Sequence, residues 1–163
     1  MANSYTQLYI QFVFAVKGRE NLINAKIKDS VEKYICGIVR KKGSKPLAIY
    51  CNPDHTHLMV GLNPDTSISE LLGIVKGSSS KWINDQSFMK CKFSWQSGYG
   101  AFSYGRSQVD GVINYILNQK DHHKKRSFKE EYLDLLKKFD VDYNESYLFD
   151  WFDLKLIAKT IRW

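Results

Sequence analysis

Polar and apolar positions alternate along residues 5–14, YTQLYIQFVF, with Leu8, Ile10, Phe12 and Phe14 on one side and Gln7, Tyr9, Gln11 and Val13 on the other. A period of two predicts a half-buried strand. Over residues 22–42 the period changes. Leu22, Ile23, Ile27, Val31, Tyr34, Ile35, Ile38 and Val39 fall three and four apart, which predicts an amphipathic helix ending in Arg40-Lys41-Lys42 before Gly43. The stretches KPLAIYC (45–51) and HTHLMVGL (55–62) read as two strands joined in a hairpin by Asn52-Pro53-Asp54. A second helix is expected from about Ser67, with Ser67 and Glu70 in capping-box positions, to about residue 85. Residues 93–104 are aromatic-rich and broken by Gly98 and Gly100, a pattern for a bulged or twisted strand. A third helix near Ser107 carries VDGVINYILNQ; after the basic run KDHHKKR, another covers about 127–139.

The order strand, helix, strand, strand, helix, strand matches a β-α-β-β-α-β arrangement. The expected fold is therefore α+β: a ferredoxin-like, RRM-like antiparallel sheet with helices on one face, followed by C-terminal helices and a tail. Neither an internal repeat nor a linker divides the chain, and 163 residues suffice for one core. This fold serves many activities, so function has to be read from particular residues.

Charge narrows the choice. The net charge is +7, but residues 1–129 hold 19 Lys/Arg against 9 Asp/Glu, whereas residues 130–163 hold 5 against 8. A basic body points to a polyanionic partner, because each phosphate contact releases condensed counterions. Cys36, Cys51 and Cys91 are widely spaced without a CxxC pair, which argues against a disulfide framework and a thiolate zinc site. With no secretory signal and no window of roughly 18 apolar residues, the expectation is a soluble cytoplasmic protein with no membrane partner.

His55-Thr56-His57 is the first candidate site. Residues two apart on a strand share a face, so both imidazoles emerge side by side, while Thr56, Leu58, Val60 and Leu62 point to the helices. Such a pair can hold a cation with a further donor, or can be no more than two strand histidines. In the third helix Val109, Val112, Ile113 and Ile116 define the buried stripe; Tyr115 lies outside it, with Gln119 one turn further on. The glutamine carbonyl is a plausible hard ligand and the phenol a plausible nucleophile, unless they are an ordinary surface pair.

Three segments, PDHTHLMV, SWQSGYGAFSYG and VINYILNQKDHHKKRSFKEEYLDLL, resemble the single-tyrosine transposases with a His-hydrophobe-His motif, the insertion-sequence 200/605 type and its repeat-associated relatives. The resemblance runs over roughly residues 5–139 and departs at Thr56, where the family's middle residue is usually apolar. It implies a single-tyrosine transposase domain over 1–139, with 140–163 as a tail of the same domain. It further implies that His55, His57 and Gln119 hold Mg²⁺ or Mn²⁺, and that Tyr115 cleaves and rejoins single-stranded, hairpin-containing DNA through a 5′-phosphotyrosine link. A homodimer with active sites shared between subunits is also implied.

Lys120, Lys124, Lys125 and Arg126 follow the tyrosine helix and are candidates to clamp the DNA backbone, as are Lys76, Lys81 and Arg106; His122 and His123 would add to the first group. Trp95, Tyr99, Phe102 and Tyr104 could stack on bases but more commonly serve as core or interface. Three other readings compete: a non-catalytic, domesticated single-stranded nucleic-acid-binding protein of the same fold, a metal phosphoesterase that uses water, and a small ligand-binding protein.

Overall fold

The structure is a computed structural model that describes residues 3–17 and 21–149. Four strands, β1 (Tyr9–Ala15), β2 (Lys45–Cys51), β3 (His55–Gly61) and β4 (Gly100–Tyr104), form an antiparallel sheet in the order β2-β3-β1-β4. Helices α1 (Lys28–Lys41) and α2 (Ile68–Asp85) complete the ferredoxin-like unit. They are followed by α3 (Val109–Leu117), α4 (Gln119–His122) and α5 (Phe128–Lys138).

The alternation in β1 and β3 sorts the core into two sides. Ile10, Phe12, Phe14, Leu58 and Val60 pack against Val31, Ile35 and Val39 of α1 and Leu71, Leu72 and Val75 of α2. Each such side chain, fully buried, contributes about 1.5–3 kcal/mol, so this layer anchors the sheet. On the other side, Val13, Ala15 and Phe102 meet Phe128, Tyr132 and Leu136 of α5. Ala48 and Met59 meet Val109 and Ile116 of α3. Both faces of the sheet are therefore covered, and the second covering comes from the helices that follow β4.

Several boundaries differ from expectation for local reasons. The first helix begins at Lys28 instead of 22, because Asn24 Oδ1 accepts from the backbone N–H groups of Lys26 (2.9 Å) and Ile27 (3.3 Å) and holds a turn there. Ser67 caps α2 as expected, accepting from Glu70 N at 3.1 Å. The aromatic segment yields a strand only over Gly100–Tyr104, with Trp95 bridging separately to Val16. Between them the chain turns at Gly98, whose φ of +83° a side chain would resist. The expected third helix stops at Asn118, so Tyr115 and Gln119 fall on separate helices. Beyond α5, residues 140–149 contain only a short 3₁₀ turn, Glu145–Tyr147, before Phe149 packs on Tyr132. The rest of the expected helical tail, 150–163, lies outside the described residues.

Candidate metal and tyrosine centre

His55 and His57 point to the face of the sheet covered by α3 and α5, as the period of β3 requires, and both are fully buried. Thr56 points the opposite way. The register of the sheet sets Val13 across from His57 and Ala15 across from His55. This leaves the His57 ring beside Gln11, whose side-chain amide lies 2.9 Å from Nδ1. His55 stacks on Phe128, with ring centroids 3.8 Å apart.

α5 brings in a residue that the sequence analysis did not single out. Glu131 is 1% exposed, and its Oε1 lies 2.8 Å from His57 Nε2, 3.3 Å from His123 Nε2 and 3.4 Å from His55 Nε2. Its other oxygen, Oε2, accepts from the Tyr115 hydroxyl and from Gln119 Nε2 at 3.2 Å. Tyr115 is half-buried and directed at this cluster, its ring 6.0 Å from that of its own chain's His57. Its position off the apolar stripe of α3 thus faces α5 and not open solvent. His122 lies against the Tyr115 ring at 4.5 Å.

Gln119 is also fully buried. Its Oε1 accepts from Asn52 Nδ2 at 3.2 Å and lies 2.9 Å from His123 Nε2. The break at Asn118 is what carries the chain inward at this point. His123, expected among the DNA-contacting cations, is instead turned into the cluster, with Nδ1 on the Arg126 carbonyl at 3.1 Å. His55, His57, His123 and Glu131 place one ligand atom each within 4.8 Å of one another, a grouping able to hold a divalent cation.

Electrostatics follow from this packing. Burial alone would raise the pKa of Glu131, but bonds to His123, His55 and His57 outweigh it and hold the carboxyl far below the usual range. Burial likewise opposes ionisation of Asp54, and the bond to His55 overrides it. Of the two strand histidines, His57 is lowered by burial, whereas His55 is raised because its bonds to Asp54 and Glu131 overcome burial. Burial, with the Glu131 charge added, pushes the Tyr115 phenol well above its ordinary value.

The candidate DNA-binding residues are dispersed. Lys120 of α4 and Lys124, Lys125 and Arg126 just after it are exposed, with Arg126 paired to Asp134 at 2.8 Å and Lys124 near Asp121 at 3.7 Å. Arg106 stands 4.0 Å from Asp110 at the start of α3. Lys81 pairs with Asp85 on α2, in the layer on the far side of the sheet. Lys76 donates to the carbonyls of Gln96 (2.6 Å) and Gly98 (2.8 Å). Trp95 and Phe102 are buried in the two cores, in keeping with the packing role anticipated for the aromatic segment. A pocket of about 420 Å³ opens beside Tyr115 and Glu131, bordered by Gln11, Tyr104, Val112 and Leu135.

A ferredoxin-like sheet with a buried His-x-His pair and a tyrosine from a following helix places a phenol beside a potential cation site. Over residues 4–119 the chain matches the family described as "Transposase IS200 like", and it belongs to that family. The transposase for insertion sequence element IS200 of Salmonella typhimurium is 27% identical over 118 residues, which cover 69% of this chain and 76% of that protein. Among solved structures, a transposase crystal structure from Deinococcus radiodurans superposes with a TM-score of 0.60 at 20% identity, covering 73% of this chain and 95% of the other. A REP-associated tyrosine transposase bound to a REP hairpin superposes with a TM-score of 0.58 at 14% identity, covering 92% and 91%. Both share the fold. The chain is a transposase of the IS200-like family.

Proposed function

We propose that this transposase cleaves and rejoins single-stranded DNA through a 5′-phosphotyrosine link at Tyr115, with a divalent cation, Mg²⁺ or Mn²⁺, held at the histidine cluster. The observation that supports this most directly is the placement of the Tyr115 hydroxyl on Glu131, whose other oxygen faces His55 and His57. The resemblance assigns the third metal contact to Gln119, whose Oε1 lies at the same cluster. A bound cation would withdraw charge from the scissile phosphate and steady the leaving oxygen.

The remaining work falls to side chains of this chain. An ordinary phenol has a pKa near 10, and here burial raises it further, so the hydroxyl reaches neutral pH protonated. Its proton is aimed at Glu131, and Gln119 holds that carboxylate from the side. When the phenolic oxygen bonds to phosphorus, the bond from phosphorus to the 3′ oxygen breaks. The phenol gives up its proton and the departing 3′ oxygen takes one. Phosphorus remains esterified to Tyr115, so the bond energy is conserved and a second 3′-hydroxyl can displace the tyrosine without ATP. The open pocket beside Tyr115, with Gln11 and Tyr104 on its border, offers room for a nucleotide next to the scissile bond.

DNA with a hairpin at the element's ends is the expected substrate, and Lys120, Lys124, Lys125 and Arg126 its expected backbone contacts. The resemblance implies a homodimer with shared sites. In the single chain the Tyr115 ring lies 6.0 Å from that of its own chain's His57.

Incubating the chain and its Tyr115→Phe variant with labelled single-stranded hairpin DNA, with Mn²⁺ or EDTA, tests this on a denaturing gel. A metal-dependent covalent band that Tyr115→Phe abolishes is the expected result. Cleavage surviving in Tyr115→Phe would mean hydrolysis by water, and binding without any covalent band would mean a domesticated DNA-binding protein.

A further inference from the structure

The pocket beside Tyr115 is a trough between two helices. Gly111, Val112 and Tyr115 line it from α3, and Glu131, Leu135 and Lys138 line it from α5. On each helix these residues recur three or four positions apart and so share one face. From Glu131 to Lys138 the helix rises about 10 Å. The trough, about 420 Å³, therefore leads away from the tyrosine hydroxyl and ends at a lysine. Its volume falls within the roughly 300–1,000 Å³ usual for small-molecule sites, and the ring of Tyr104 supplies a flat aromatic wall.

Most polar groups of the lining are already engaged. Gln11 has one end of its amide on His57 and the other on the Tyr104 hydroxyl, and Asp134 pairs with Arg126 at 2.8 Å. Two donors are left. Gln108 Oε1 accepts from the backbone N–H of Gly105 at 3.1 Å; an N–H only donates, so the carbonyl end is fixed and the NH₂ is the end without a protein partner among the described residues. Lys138 holds its ammonium 5.8 Å from the centre of the Tyr104 ring and forms no ion pair among the described residues. Gly111 leaves the wall open: a Cβ added there meets nothing within 4 Å, so a side chain at 111 would enter the trough without straining the fold.

We infer that this trough is a nucleobase site: it takes the unstacked base of the nucleotide 3′ to the cleaved bond, with Gln108 donating to a base carbonyl and Lys138 to the next phosphate. This rests on the tyrosine-transfer reading above and extends it. In an in-line displacement the attacking and leaving oxygens stand on opposite sides of phosphorus. The departing 3′ oxygen and its nucleotide lie away from Tyr115, so a pocket that starts at the phenol receives the nucleotide that stays esterified. Holding its base keeps the covalent end in place and leaves the opposite side free for the incoming 3′-hydroxyl. An aromatic wall suits any base, and Gln108 adds a preference. On their major-groove edges guanine and thymine offer only acceptors, whereas adenine and cytosine each carry an amino donor that opposes an NH₂. The site therefore favours guanine or thymine.

The test is a binding cycle in the Tyr115→Phe background, where no adduct forms and anisotropy of a labelled single-stranded hairpin reads affinity alone. An abasic residue is placed at each unpaired position in turn. One position, the first 3′ to the bond that the unmutated chain cleaves, should lose about tenfold or more in affinity. Adding Gly111→Leu should weaken the intact hairpin to a similar extent and remove the abasic penalty at that position, because both changes delete the same contact. Urea unfolding of Gly111→Leu, expected to match the parent, separates a filled trough from a damaged fold. With the four bases compared at that position, guanine and thymine should bind about 2- to 10-fold better than adenine and cytosine, and Gln108→Ala should erase the difference. No abasic penalty, a penalty undiminished by Gly111→Leu, or a base preference that survives Gln108→Ala would each overturn the assignment. The covalent-band assay keeps the two readings apart. An adduct without any abasic effect removes the base site alone; a position silenced by Gly111→Leu with no adduct in the unmutated chain removes the reaction alone.

Discussion

Glu131 Oε1 lies 2.8 Å from His57 Nε2, although 74 positions separate the two residues in the chain. The contact ties α5 to the middle of the sheet through a nearly solvent-free carboxylate. A charge buried among hydrogen-bonding partners makes the fold depend on pH.

The metal-free protein should therefore lose stability in acid. Glu131 and Asp54 have pKa values lowered in the folded state from ordinary values of 4.5 and 3.8. Their contribution is fully present above those values and is lost as pH falls below them. His57, also lowered, acts in the same direction from pH 6.5 downward, whereas His55, raised, stabilises the fold in acid and loses that contribution as pH rises. The two histidines act on opposite sides of about pH 6.5, His57 below it and His55 above it, and the carboxylates add to the loss below about 4.5. Urea midpoints in EDTA should fall steeply between about pH 4.5 and 3, and Glu131→Gln should flatten that fall. An equal slope in the variant would show that Glu131 is not the group responsible.

The fold was legible in the chain to the extent that its period was regular. Phe12, Phe14, Leu58 and Val60 declare one face of the sheet, and the same alternation turns His55 and His57 to the other. Tyr115 and Gln119 stand at a helical spacing, and the structure brings both to the histidines, though by way of a break at Asn118 that no proline or glycine announces. Glu131 and His123 were harder to see. His123 sits in a basic run where a solvated cation is the ordinary expectation. Glu131 does leave a trace: Phe128, Glu131, Tyr132, Leu135 and Leu136 are spaced three and four apart, so a carboxylate occupies the apolar stripe of α5. An acid on a buried stripe needs a partner, but the sequence does not say that the partner is a strand more than seventy residues earlier.

The seating of α5 should be sensitive to Gly100. A Cβ there would lie 2.9 Å from both Cε2 and the hydroxyl oxygen of Tyr132 and 3.0 Å from Phe102 Cε2. Gly100→Ala must displace the Tyr132 ring tip and the Phe102 ring, at a cost of about 1–3 kcal/mol. Since Glu131 immediately precedes Tyr132, the variant should also bind Mn²⁺ more weakly. Gly73→Ala, exposed in α2 with nothing within 4 Å of the added carbon, is the control and should stabilise by up to about 1 kcal/mol. Urea unfolding of both variants measures the contrast, and a Gly100→Ala protein as stable as the wild type would refute the close approach.

Lysines on different parts of the surface should differ in how they affect DNA binding. Lys124 and Lys125 are exposed in the segment after α4, with Asp121 3.7 Å from the first. Lys76 is half-buried, its ammonium bonded to the carbonyls of Gln96 and Gly98, and burial lowers its pKa. A lysine that contacts phosphate contributes about one unit to the slope of log affinity against log salt concentration. The double change Lys124→Ala, Lys125→Ala should then lower that slope by about two and weaken binding to hairpins of any sequence alike. Lys76→Met should leave the slope unchanged and instead lower stability by about 0.5–1.5 kcal/mol for each bond lost. Fluorescence anisotropy of a labelled single-stranded hairpin between about 50 and 200 mM salt, with urea unfolding in parallel, reads both quantities. A reduced slope in Lys76→Met would place the DNA across the far end of α2, and an unchanged slope in the double variant would remove the segment after α4 from the interface.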